Sequence, residues 1–214
     1  MFRIRRHWAI LAVAYGLFLL WHTPWQDPLT EAELESYAEA ALAAEAQNGA
    51  EPAAFAAFFL SDDGRPFYMV NLITFRQEAV YEEGFPDSVT SAEEANQIYA
   101  QTVLRLLLAR GSYPVVLLDP KVALLNSYRD VIGTVDTVAV VRYRSRRDFL
   151  DMVSSDSFRA IEVHKWASVE QTLVMPSHAP VLMTLNALVP GLLIALGALT
   201  SALRSRRARD EVQG

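Results

Sequence analysis

The chain has 214 residues, contains no cysteine and carries a formal net charge of −6. The lack of cysteine excludes disulfides, a cysteine nucleophile and thiolate metal sites. Arginine is concentrated before Trp8 and after Leu203, so the stretch between these ends is strongly acidic. We therefore expect no nucleic-acid partner, because nucleic-acid binding needs a positive surface.

The first predicted element is a transmembrane anchor over residues 1–25. An arginine-rich start is followed by an apolar run from Trp8 to Leu20, and Trp21 and Trp25 suit the far interface. A span needs roughly 20 residues, with about 17 as the lower limit. The alternative is a cleavable signal peptide, but no small-x-small cleavage site follows Trp21, which favours an uncleaved anchor.

A second transmembrane helix is predicted over residues 178–204, followed by a basic cytoplasmic tail at 205–214. No charged residue occurs from Pro180 to Leu203. Arginines lie just before the first span and just after the second. The positive-inside rule therefore places both termini in the cytoplasm. The chain is thus predicted to cross a bacterial inner membrane twice, with its main domain in the periplasm. Small residues recur four apart at Ala187, Gly191 and Ala195, and at Ala12 and Gly16 in the first span, which predicts faces that let helices approach closely in lipid.

Residues 26–64 are predicted to form a helical linker or extension. Thr30 and Glu33 have the spacing of a capping box, which indicates the start of a helix. Pro52 is typical of the first position of a second, short helix.

The segment over residues 65–177 is predicted to be an α+β domain with the split βαβ, ferredoxin-like plan. Its elements follow the order β-α-β-β-α-β. The strands are predicted at Phe67 to Phe75, Tyr113 to Leu118, Val135 to Tyr143 and Val169 to Met175, with capped helices starting after Ser91 and Ser145. Such a sheet carries its helices on one face, and its other face needs a cover, for which pairing of two sheets is one solution.

Two runs in this domain resemble a known family. Residues 69–76, MVNLITFR, are similar to the opening strand of the domain-of-unknown-function family 1330, and residues 140–176 are similar to its second half. The resemblance implies a dimeric α+β barrel and places Tyr99 at a tyrosine of the family's first helix. Gly111-Ser112 and Lys165 depart from the family's Gly-Gly and arginine. The resemblance implies a fold and an assembly, not a reaction.

Four residues are candidates for ligand binding: Asn71, Arg76, Tyr99 and His164. Histidine side chains can move protons near neutral pH, so His164 is the first candidate for proton transfer, although a surface or interface histidine is the commoner case. Asn71 is polar within an apolar strand and could orient a carbonyl or satisfy a neighbouring backbone group. Arg76 suits an anion or a surface ion pair, and Tyr99 suits a ligand or the core. His164, Asn71 and Tyr99 are also the candidates for catalysis.

No cofactor or metal is expected, because the four histidines are scattered and no phosphate loop, dinucleotide fingerprint or nucleophile elbow occurs. Three functions stay open. The first is an accessory or assembly subunit of a larger membrane complex, with lipid, other transmembrane subunits or a second copy as partners. The others are a cofactor-free oxygenase or isomerase, and a binding module for an apolar, quinone-like or haem-like ligand.

Overall fold

The fold was analysed in a computed structural model that describes residues 6–35, 37, 52–86, 88–122, 134–179 and 185–213. The chain divides into two compact units. The terminal unit comprises Met1–Thr23 and Ala179–Gly214, and the central unit comprises Pro24–His178.

The terminal unit contains two helices, α1 (Arg6–His22) and α6 (Leu185–Gln213). The start of α1 lies beside the C-terminal half of α6, where His7 Nε2 is 3.2 Å from Ser201 Oγ. A Cβ atom added at Gly197 would overlap the indole ring of Trp8. The helices therefore approach most closely where α6 carries no side chain.

The close contact between α1 and α6 does not involve the glycines of the predicted small-residue faces. Among the described atoms, none lies within 4 Å of a Cβ placed at Gly16 or Gly191, so these two glycines do not form the close approach of α1 to α6. The spacing of small residues identified a possible face but not which face is used. The indole of Trp8 selects Gly197 instead.

The described helices were also compared with the requirements for crossing a bilayer. None of them is at once long enough and apolar enough to do so. The two predicted spans, and the orientation deduced from them, therefore stay predictions. Helix α6 also continues to Gln213 without a break at the predicted start of the tail, because arginine, alanine, glutamate and glutamine all favour helix.

The central unit is an α+β domain built on one antiparallel sheet. Its strands are β1 (Phe67–Phe75), β2 (Tyr113–Leu118), β3 (Thr137–Tyr143) and β4 (Val169–Ser177). They are arranged in the order β2-β3-β1-β4, and every neighbouring pair is antiparallel. This order is compatible with the ferredoxin-like plan. The predicted α+β class is confirmed.

The remaining helices of the central unit are α2 (Pro52–Leu60), α3 (Ala92–Ala109), α4 (Arg146–Val153) and α5 (Asp156–Ser168). Ser91 and Ser145 cap α3 and α4, as predicted, by accepting hydrogen bonds from the Glu94 and Asp148 amides. Gly111 ends the turn after α3 with φ +66°, a conformation that side chains other than glycine adopt at a cost.

The hydrophobic core lies between one face of the sheet and the helices. Phe67 and Met69 of β1 and Tyr143 of β3 point to this face and pack with the helices. Because side chains alternate along a strand, Asn71 lies on the core side, whereas Val70 and Leu72 lie on the other.

The segment predicted as a linker is part of this core. The ring of Phe59 in α2 is buried and stacks on Phe149 at 5.8 Å between centroids. Thr30 and Glu33 form the predicted capping box, with the Thr30 amide 2.9 Å from a Glu33 carboxylate oxygen. The extension is therefore a structural element of the central unit.

Candidate functional site

The loop after β1 folds back against the last turns of α5. The Arg76 amide donates to the Ser168 carbonyl at 2.9 Å, and the Val80 amide donates to the Ala167 carbonyl at 3.0 Å. These bonds satisfy two carbonyls at the C-terminal end of α5, which have no partner within the helix. They also fix the residues that follow Val80 above His164.

His164 is buried beneath this loop, with 5% of its surface exposed. The Tyr81 hydroxyl lies 2.8 Å from His164 Nδ1. The ring of Phe85 stacks on Tyr81 at 5.3 Å and meets the imidazole edge-on at 5.8 Å. We call these three residues the loop–histidine cluster. Because His164 is buried, it is not the surface histidine that was the alternative from the sequence.

The two polar members of the loop–histidine cluster can form their hydrogen bond in either direction. Burial raises the pKa of Tyr81, and the nearby Glu94 adds to this effect, so the hydroxyl stays protonated at neutral pH. A protonated hydroxyl can donate to a neutral imidazole or accept from an imidazolium. Sequence reasoning missed Tyr81 and Phe85, and the only signal for them was an aromatic pair inside an acidic loop.

Asn71 does not join this cluster. Its side-chain nitrogen donates to the Met69 carbonyl at 3.1 Å and to the Ala139 carbonyl at 3.2 Å. Both amide hydrogens are thus directed to the backbone of the sheet. This arrangement matches the second of the two predicted roles, in which Asn71 satisfies neighbouring backbone groups.

Tyr99 belongs to α3, and its ring contacts the Phe158 ring of α5 edge-on, with 6.3 Å between the ring centroids. Burial raises the pKa of Tyr99, and the negative charge of Glu162 raises it further. Burial likewise raises the pKa of Glu162. Among the described residues, no hydrogen bond or ring contact connects Tyr99 with Asn71 or His164. The three predicted catalytic candidates are therefore not one constellation.

Arg76 is the candidate whose charge no acidic residue within the described ranges neutralises. Its Nε atom is buried without a hydrogen-bond partner, and its guanidinium forms no ion pair with any residue in the described ranges. A partly buried, unpaired guanidinium favours an anionic partner. Across the described residues, no three metal-ligating side chains come together to hold an ion.

A second candidate site is the sheet face opposite the core. The apolar centre of this face, which we call the apolar sheet face, comprises Val70, Leu72, Val138, Val140, Leu173 and Met175. These residues lie side by side, since Val70 pairs with Val140 and Met175, and Leu72 pairs with Val138 and Leu173. At the edge strand, Leu173 is 39% exposed and Met175 is 38% exposed. Contiguous apolar surface of this kind is typical of an interaction site.

The comparisons with known proteins bear on the fold alone. No protein-family model and no curated protein matches the chain. The crystal structure of RPA0582, a protein of unknown function from Rhodopseudomonas palustris, is 23% identical, with a TM-score of 0.53, and covers 62% of this chain and 95% of that one. The methylated RPA0582 protein is also 23% identical, with a TM-score of 0.55, and covers 63% of this chain and 96% of that one.

Proposed function

We propose that this chain is a membrane-anchored assembly subunit whose α+β domain stands on the outer side of a bacterial inner membrane. The observation that carries the proposal is the apolar surface left on the paired terminal helices. Large aliphatic side chains stay exposed on both helices, including Ile10 at 65% and Leu192 at 62%. The others are Val13, Leu17, Leu20, Leu188, Ile194, Leu196, Leu199 and Leu203.

Lipid is the environment that best suits these exposed apolar side chains. Leaving apolar surface in water costs roughly 25 cal/mol per Å², and a helix that is apolar on every side is typical of a membrane segment or a deep core. The pairing of α1 with α6 does not bury these residues, although it places Trp8 against Gly197. The arginine borders favour the orientation with both termini in the cytoplasm.

The apolar sheet face supports the assembly part of the proposal. All six of its side chains are apolar, and they lie side by side on three neighbouring strands. A surface of this kind can pack on its own copy about a two-fold axis. We propose that a second copy covers it and closes a two-sheet barrel, as the family resemblance implies, within a larger membrane complex.

Matched variants on strand β4 test the assembly. Leu173 and Val174 are adjacent and equally exposed, at 39% and 40%, but they point to opposite faces of the sheet. We expect Leu173→Lys to convert the dimer to a monomer in native mass spectrometry of mildly extracted protein, whereas Val174→Lys leaves the dimer intact. A monomeric wild-type protein without any stoichiometric partner would contradict the assembly role.

Carbonate extraction of membranes tests the anchoring separately. We expect the full-length chain to stay with the membrane at alkaline pH, since apolar helices embedded in lipid resist the treatment. Protease added outside intact spheroplasts should then cleave the central unit. Release of the chain by carbonate would contradict the anchoring, and full protection from protease would contradict the orientation.

The loop–histidine cluster favours a second candidate function. A buried histidine bonded to a tyrosine, with the unpaired Arg76 on the same loop, can bind a small acidic or quinone-like molecule and move a proton. This would make the chain a binding module, or a cofactor-free oxygenase or isomerase. Native mass spectrometry would show a bound small molecule in the wild type that is absent from Arg76→Gln and retained in the exposed control Arg65→Gln.

A further inference from the structure

A small cavity lies at the start of α4, within the central unit. Its volume is about 190 Å³, which is below the roughly 300–1,000 Å³ of pockets for drug-sized ligands. It can therefore hold a single ring with its substituents but not a larger molecule. One wall comes from the segment before Asp27, and the other comes from Arg144 and the first turn of α4. The lining residues are Pro24, Trp25, Gln26, Arg144, Ser145 and Asp148.

The wall formed at α4 is polar and carries no net charge. The Arg144 guanidinium donates to both carboxylate oxygens of Asp148, at 2.7 Å from Nε and 2.6 Å from Nη2. The Ser145 hydroxyl donates to the same carboxylate at 2.7 Å and accepts from the Asp148 amide at 3.0 Å. The Asp148 side chain is only 8% exposed, so these contacts fix its position. This wall therefore presents fixed hydrogen-bonding groups without attracting an ion of either sign.

The opposite wall is largely apolar. The Trp25 indole lines it beside the ring of Pro24, and Trp25 is 65% exposed. The segment that follows is attached to α4, because Arg147 Nη2 donates to the Asp27 carbonyl at 3.3 Å. A large aromatic surface is thus held at the cavity, where a ligand can stack on it.

The two walls together favour a neutral ring that bears hydroxyl groups. The negative face of an aromatic ring attracts C–H groups, which line one face of a sugar ring. Carboxylate oxygens accept hydrogen bonds from hydroxyls, and a glutamine amide both donates and accepts. An anion would have to compete with Asp148 for Arg144. A ring without polar substituents would displace water from the polar wall without replacing its hydrogen bonds.

We propose that this cavity, which we call the α4 cavity, binds one neutral six-membered sugar ring. The ring stacks on the Trp25 indole through its C–H groups. Its hydroxyls bond to the Gln26 amide and to Asp148 Oδ1, which accepts a single hydrogen bond within the described part of the chain. The α4 cavity shares no residue with the loop–histidine cluster or the apolar sheet face, and its binding does not depend on the membrane anchoring.

Saturation-transfer NMR on the full-length chain measures this binding. The protein is held in a detergent without a sugar headgroup, since alkyl glycosides would compete for the cavity. The probes are methyl β-glucoside, which is neutral, and methyl β-glucuronide, which has the same ring but carries a carboxylate. We expect the glucoside to bind with a dissociation constant on the order of 1 mM, as is usual for so few atoms. The glucuronide should bind several times more weakly, because Asp148 repels its carboxylate.

Variants at the two exposed lining residues locate the site. Trp25→Ala should weaken binding of the glucoside about tenfold, because the stacking surface is lost, and Trp25→Tyr should restore most of the affinity. Gln26→Ala should weaken binding severalfold. Its matched control is Gln77→Ala, an exposed glutamine in the loop after β1, which should bind like the wild type.

No saturation transfer to the glucoside at millimolar concentration would overturn the proposal. Unchanged binding in Trp25→Ala would overturn it as well, because the ring would then bind elsewhere. Tighter binding of the glucuronide would indicate an anion site and contradict the neutral class of ligand. Equal affinities of Gln26→Ala and Gln77→Ala would contradict the position given to the ring.

Discussion

Arg146 and Asp62 form an ion pair 3.0 Å long in which each side chain is only 3% exposed. The same guanidinium nitrogen donates to the Ser61 carbonyl at 2.9 Å, and the guanidinium carbon lies 4.4 Å from the centre of the Phe58 ring. Arg146 is the first residue of α4, whereas Asp62 follows α2. One arginine thus connects the N-terminal extension to the second half of the domain.

We expect Arg146→Ala to destabilise the protein by about 3–5 kcal/mol, because it leaves the Asp62 carboxylate buried without its partner. Chemical denaturation measures the change. The matched control is Arg65→Ala, whose side chain is 80% exposed and pairs with Asp63 at 3.9 Å. An exposed pair contributes about 0–1 kcal/mol. Similar losses in the two variants would contradict the structural role of Arg146.

The pair between Arg147 and Glu33 predicts a loss of stability in acid. The hydrogen bond from Arg147 lowers the pKa of Glu33 from 4.5 to about 2, helped by the hydrogen bonds from Thr30. Between these values the unfolded chain binds a proton that the folded chain does not, so this stabilisation is complete above pH 4.5 and disappears as the pH falls through about 2.

Glu33→Gln should therefore reduce the loss of stability between pH 4.5 and about 2, measured by thermal unfolding at closely spaced pH values. Glu35→Gln is the control, since this exposed carboxylate lies two residues away and forms no ion pair in the described part of the chain. If Glu33→Gln follows the same acid profile as the wild type, the pair does not cause the effect.

Local patterns in the sequence were enough to predict most elements of the domain. The strands at Phe67–Phe75 and Tyr113–Leu118 have the predicted bounds, and Ser145 caps α4 as its sequence indicates. These features depend on neighbours within a few residues, such as alternation in a strand or a hydroxyl three residues before an amide.

The candidate site could not be predicted in the same way. Tyr81 and His164 are separated by 83 residues, and Arg146 and Asp62 by 84. Their contacts depend on how a loop and an extension fold over helices, which no periodicity encodes. Asn71 illustrates the same limit, because its polar side chain indicated a role but its partners are carbonyls on two strands.

The hydrogen bond between Tyr81 and His164 should couple the loop to α5. We expect Tyr81→Phe to cost about 1–3 kcal/mol, because it leaves the buried imidazole nitrogen without a partner. A double-mutant cycle with His164→Phe should give a coupling energy of about 0.5–1.5 kcal/mol. Phe85→Leu, which contacts the same rings through apolar surface alone, serves as a control that keeps the hydrogen bond.

Hydrogen exchange of the backbone gives a second measurement for this cluster. The Arg76 and Val80 amides bond to α5 and should exchange faster in Tyr81→Phe than in the wild type. Their protection should not change in Phe85→Leu by a comparable amount. Additive effects in the double-mutant cycle, together with unchanged exchange, would show that the 2.8 Å contact does not stabilise the loop.

The packing of Trp8 on Gly197 predicts a steric effect in the terminal unit. Even a methyl group at position 197 would overlap the indole ring, so we expect Gly197→Ala to separate the start of α1 from α6.

Because the chain has no other cysteine, one cysteine in place of His7 and one in place of Ser201 can be joined by a short bis-maleimide. The cross-linking yield should fall severalfold in Gly197→Ala. Gly16→Ala is the matched control, since a Cβ there meets no described atom within 4 Å, and it should cross-link like the parent. Equal yields in the two variants would mean that the close approach at Gly197 does not hold the helices together.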